Sequence, residues 1–152
     1  MTFLDLLVFA HVAGAIAWVG SGSFVQVLGT RTINDGTGDE VQSFVNNIVW
    51  LTPRWFIPVS LWTVAFGIAT AIKASYSFGD IWITAGLTMF IISFLIGILY
   101  LGPQSERIAK IGESDGPESA VYSANVGKLL LASRIELVLL WATVFVMVVK
   151  PG

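Results

Sequence analysis

Apolar residues along this chain gather into four runs, at about 3–29, 54–73, 80–102 and 130–149, separated by two longer polar connections and one short one. Each run is near the roughly 20 residues that carry a helix across about 30 Å of hydrocarbon. Lipid offers no partner to an open backbone group, and the runs are too long for barrel strands, so each is predicted to be a helix. The short connection "SYSFGD" is a turn between the second and third runs, which favours antiparallel neighbours. The expected fold is all-α, an antiparallel up-down four-transmembrane-helix bundle. Pro53 and Pro58 fall in the first turns of the second span, where a missing N–H costs least, and Pro58 is expected to leave a kink. Gly102 and Pro103 are expected to end the third span.

The longer connections carry helical patterns of their own. "DEVQSFVNNIVWL" puts Val41, Phe44, Val45, Ile48 and Leu51 at helical spacing, which predicts an amphipathic helix leading into span two. Pro117 and Glu118 mark a helix start well before residue 130, so span four is expected to begin outside the bilayer. These helical extensions share one side with Arg31, Arg54, Arg107, Lys110, Lys128 and Arg134, whereas Lys73 and Lys150 stand on the other. The positive-inside rule then puts the extensions in the cytoplasm and both termini outward.

Composition agrees. The chain is 55% hydrophobic and 12% charged, against about 25% charged in an average soluble domain. An integral membrane protein of one domain, residues 1–152, with the lipid bilayer as its first partner, is expected. The absence of cysteine excludes disulfides, thiolate-ligated haem, iron–sulfur clusters and cysteine zinc sites. A net charge of −2 carries no nucleic-acid signature. The first run lacks a basic leader and carries Asp5, so it is expected to be retained as a span.

Against this background the one histidine stands out. His11, Gly14, Ala15, Trp18, Gly22 and Gln26 recur at steps of three or four and share a helix face. Small residues mark close helix approach, so His11 is expected to face the bundle. In one reading it donates a hydrogen bond to Thr84, Thr88 or Thr143 and helps fix helix packing. In the other its free ring nitrogen ligates haem iron or a metal, with the glycine-lined groove admitting a flat macrocycle. Counting 1.5 Å per residue places Thr88, Met89 and Thr143 at the depth of His11, with Met147 nearer the surface. One histidine and two methionines form a soft set suited to copper(I).

A second polar cluster is expected toward the cytoplasmic end, from Ser23 and Gln26, Arg54, Arg134 and Glu136. Glu136 shares its face with Ala132, Thr143 and Met147 and so points inward, with Arg54 as its expected ion-pair partner. Arg134 is expected to snorkel. The cluster reads as a register-fixing ion pair or, functionally, as a proton step, an anion site or an arginine clamp on haem propionates. Of the six tryptophans, Trp50, Trp55 and Trp82 fall where an interfacial aromatic belt is expected, and Trp18 shares the His11 stripe.

"HVAGAIAWVGSGSFVQVL", "RWFIPVSL", "SFLIGILYLGP", "SRIEL" and "VFVMVVKPG" together resemble the DUF2269 family of predicted bacterial integral membrane proteins, over nearly the whole chain. The resemblance implies the four-helix fold and a bacterial inner membrane, and leaves the activity open. More distantly, His11, Gly14, Trp18 and Gly20 are similar to the first helix of CopD-type copper-resistance proteins and HemJ-type protoporphyrinogen oxidases. That likeness implies a ligand-binding role for His11 alone.

The leading expectation is thus a non-catalytic protein that binds haem b, or else a metal ion, at His11. The cofactor residues expected around it are Gly14, Trp18, Gly22, Thr88, Met89, Thr143, Arg54 and Arg134. The alternatives are a ligand-free accessory subunit of a larger membrane complex or homodimer, and a copper-handling or porphyrinogen-oxidising protein.

Overall fold

The computed structural model describes residues 2–151. Helix α1 (Phe3–Asp35) is capped by Thr2, whose hydroxyl accepts from the Asp5 N–H while the Asp5 carboxylate accepts from the Thr2 N–H. Helix α2 (Gly38–Leu51) repeats that reciprocal cap with Thr37 and Glu40. After a π-helical turn (Thr52–Phe56) the chain continues as α3 (Ile57–Lys73). Residues 75–80 form the short turn into α4 (Ile81–Ile96). A second π-helical turn (Gly97–Leu101) leads into α5 (Gly102–Asp115), and α6 (Ala120–Val149), capped by Ser119, ends the fold.

The helices therefore form four rods, Phe3–Asp35, Gly38–Lys73, Ile81–Asp115 and Ala120–Val149, each long and apolar enough to cross a membrane. Their outer surface supports that reading. Phe9, Val27, Leu99, Phe145 and Val148 are each at least 66% exposed, and a continuous apolar surface of this kind belongs against lipid. Four helices where the spans were expected, the amphipathic helix and the early start of the last helix are present. The third helix runs farther than expected, because Gly102 and Pro103 do not break it and it continues to Asp115.

The two π-turns explain how. Proline has no N–H to donate, and its ring crowds the carbonyl four residues back. In each rod the helix widens just ahead of a proline. The Ile57 N–H bonds to the Thr52 carbonyl before Pro58, and the Gly102 N–H bonds to the Gly97 carbonyl before Pro103. One extra residue in the turn accommodates the proline without breaking the rod.

Helix α1 is central, packing along α3 on one flank and α6 on the other, while α4 lies against α6. Helices α3 and α4 share a short turn yet meet only sparsely, leaving a seam between them. At the end that carries the long connections, α2, α5 and the start of α6 close over Val41, Val45, Ile108, Ala109, Tyr122 and Val126. In mid-bundle a second core forms from Trp18, Val19 and Leu140, with Phe56, Val59, Phe90 and Val144 against it.

Candidate functional site around His11

The inward stripe of α1 serves two neighbours in succession. Gly14 meets α3 so closely that a Cβ there would lie 2.6 Å from Thr63 Oγ1. One turn on, Trp18 occupies the mid-bundle core, edge-on to Phe90 at 5.7 Å. Farther along, Gly22 faces Leu137 of α6, and Gln26 accepts from Ser133 Oγ at 2.9 Å. Three tryptophans stitch the same helix: Trp62 Nε1 donates to the Ala10 carbonyl at 3.0 Å, Trp55 Nε1 to Ser21 Oγ at 3.0 Å and Trp141 Nε1 to Ser23 Oγ at 3.2 Å.

His11 leans on α3. Its Nδ1 lies 2.8 Å from the Thr63 carbonyl. A carbonyl only accepts, so Nδ1 carries the hydrogen. The ring fits a notch made by Gly67, where a Cβ would come within 2.9 Å of Cε1 and Nδ1. This partner corrects the expected threonines. Thr84 Oγ1 donates to the Phe78 carbonyl at 3.0 Å, Thr88 Oγ1 to the Thr84 carbonyl at 2.8 Å and Thr143 Oγ1 to the Leu139 carbonyl at 2.8 Å. A backbone carbonyl holding Nδ1–H is also the arrangement that fixes the tautomer of a ligating histidine and turns the Nε2 lone pair outward.

Beside that ring lies a cleft of about 550 Å³, bordered by α1, α3, α4, α6 and the 75–80 turn. Its walls are almost wholly aliphatic and aromatic, with His11, Gly67, Gly86, Phe90, Thr143 and Met147 among them. Glycine shapes the α4 wall, because the Met147 methyl packs where a Gly86 Cβ would stand. Of the expected ligand residues, His11, Trp18 and Thr143 border the cleft. Gly14 lies in the α1–α3 seam and Gly22 borders a different, smaller cavity. Thr88 is exposed, and Met89 borders neither space. The expected set of one histidine and two methionines is therefore not assembled. Gly67 and Gly86 escaped the sequence reading, although Thr63 and Gly67 stand four apart, as small residues at helix crossings do.

The smaller cavity, about 130 Å³, lies beyond Trp18 and Leu140, which border both spaces. Both π-turns reach it, through Thr52, Phe56, Gly97 and Leu101. Glu136 points inward here as expected, but its partner is Ser93 Oγ at 2.6 Å and not Arg54. Arg54 is exposed, donates to the Trp50 carbonyl at 3.3 Å and lies 5.0 Å over the Trp50 ring. Arg134 is exposed, as expected of a snorkelling side chain, and donates to Thr30 Oγ1 at 3.1 Å. Neither arginine borders the cleft, so neither can clamp an acid group held there. Gln26 Nε2 is buried here without a hydrogen-bond partner among the described residues. Such a group needs a water or a ligand acceptor.

No family model, curated protein or solved structure matches the chain. Among the described residues no three His, Asp or Glu side chains gather to hold a metal ion. The fold and the cleft define the class, a multi-pass helical membrane protein with an apolar cleft that a single imidazole borders.

Proposed function

We propose that this protein is a non-catalytic, four-helix membrane protein that holds haem b through His11, in a fold of the DUF2269 type. The observation that carries the reading is the pairing of a fixed imidazole with adjacent open space. Nδ1 is committed to the Thr63 carbonyl, and the cleft lies within the range of about 300–1,000 Å³ typical of small-molecule sites. Haem b, when bound, supplies an iron centre whose electronic character follows its axial ligand and the polarity around it. The chain's part is to orient the imidazole through Thr63 and Gly67, and to surround an apolar ring with carbon. One histidine limits a single chain to one imidazole ligand. Met147 is the thioether that borders the same space. The basic residues at the connection end support a bacterial inner-membrane placement with both termini outward.

Protein extracted gently from haem-replete bacterial membranes is expected to show a Soret band. His11→Ala is expected to remove that band while helix content is kept. Colourless wild-type protein that co-purifies with a stoichiometric partner would select an accessory subunit instead.

A further inference from the structure

The cleft offers a ligand very few uncommitted polar groups. Thr63, Thr70 and Thr143 border it, but each hydroxyl donates to the carbonyl four residues back in its own helix, at 2.7, 2.7 and 2.8 Å. The uncommitted ones are His11 Nε2, the Trp18 and Trp82 indole N–H groups, the Tyr76 hydroxyl and Lys150, and Lys150 is the one lysine or arginine among them, at the end where α6 stops.

Lys150 is held there by a specific arrangement. Its ammonium lies 5.2 Å from the centre of the Tyr76 ring and 4.9 Å from the centre of the Trp82 ring. Those rings meet edge-on, 5.2 Å apart, and both border the cleft. Among the described residues the ammonium makes no hydrogen bond. Two helices end here in left-handed backbone, α3 just before Tyr76, at Ser75 with φ 57°, and α6 at Lys150 with φ 49°. This is a common way for a helix to terminate. Its consequence here is an aromatic-flanked cation at the rim of an apolar cavity. Aromatic faces attract an ammonium but leave its charge unneutralised.

We infer that Lys150 recognises the acid end of the molecule that fills the cleft, which makes the ligand an apolar carboxylate. The inference rests on the cleft of the proposed function and deepens it, because the propionates of haem b are such groups. A ligand that meets both groups is apolar where it lies against the cleft walls and acidic at the rim beside Lys150. The same carboxylate chemistry could come from a porphyrin or from a long-chain fatty acid.

The test uses the full-length protein in uncharged detergent, with quenching of tryptophan fluorescence as readout, since Trp18 and Trp82 border the cleft. The probes are protoporphyrin IX against its dimethyl ester, and a brominated long-chain fatty acid against its methyl ester. Neither carries iron, so ligation at His11 does not enter. Wild type is expected to bind acid over ester by about ten-fold or more, the value of a charge-assisted contact. Lys150→Met is expected to lose that preference and Lys150→Arg to keep it. Lys73→Met, which removes the other basic residue at that end, is expected to keep it too. A preference retained in Lys150→Met, or absent from wild type with both probes, would overturn the inference. A Lys150-dependent preference for the fatty acid alone would uphold it and count against haem. A normal Soret band with unchanged acid preference in Lys150→Met would leave haem standing and remove Lys150.

Discussion

The two ends of this bundle pack in opposite ways. Where the long connections gather, Val45, Ile108, Tyr122 and Val126 are each 3% exposed or less, and Gly112 lets the Gln42 and Tyr122 side chains close over α5. Where the termini lie, α3 and α4 barely meet, and about 550 Å³ stands open beside His11. Apolar content runs against the packing, because α2 and α5 at the tight end are less apolar than α3 and α4 at the open one. What differs is where the glycines point. Gly112 draws elements together, whereas Gly67 and Gly86 make recesses in which the His11 ring and the Met147 methyl lie. An aliphatic wall facing empty space forgoes dispersion contacts that a packed core would make. A space of that size is therefore a feature to be filled, by lipid or by a ligand.

The largest effect should come from truncating the tight end. Ile108→Ala is expected to cost about 2–5 kcal/mol of unfolding free energy, measured by denaturant titration in micelles. Leu87→Ala, on the cleft wall, is expected to cost less than half as much, because part of its surroundings is already open. Equal losses would dissolve the contrast between the two ends. Gly67→Val tests the recess itself. A side chain there collides with the His11 ring, so haem affinity is expected to fall by about 10- to 100-fold, as when the partner of a ligating histidine is removed. Circular dichroism should show helix content retained.

Ser93→Ala removes the hydroxyl that serves Glu136 and is expected to cost about 1–3 kcal/mol, without changing a Soret band. A change in the band would mean that the two cavities are coupled through Trp18. The smallest effect is expected from Arg54→Gln and Arg134→Gln, within about 0.5 kcal/mol in stability. Haem content should not change in either, since both side chains are exposed and neither borders the cleft.

The four spans were legible in the sequence, because hydrocarbon thickness and the 1.5 Å rise determine them, and rotation about each helix was only half so. Depth from helix to helix was not legible, since Trp18 meets Phe90 and so Thr88 and Met89 lie nearer the level of Trp18 than of His11. Which way they face depends on where α4 sits, and α4 packs on α6 with Trp82, Ile83, Gly86, Leu87 and Phe90 turned to the cleft. The inward face of α1 could be read because small residues mark it over four turns. The partner of His11 could not, because it is a backbone carbonyl and any residue supplies one. Glu136 was rightly read as inward. Its expected pairing with Arg54 failed because Arg54 stands outside the bundle over Trp50, while Ser93 reaches the carboxylate from α4. Gly102-Pro103 misled for a related reason. A stop signal acts only if the helix cannot widen, and the Gly97–Leu101 turn widens.

The most direct measurement is the visible spectrum of wild-type and His11→Ala protein, purified side by side from haem-replete membranes, with iron quantified on the same samples. A Soret band with near-stoichiometric iron in wild type, and neither in an equally helical His11→Ala, is the predicted result. Iron-free, colourless wild type, or a band that survives the substitution unchanged, would contradict ligation at His11.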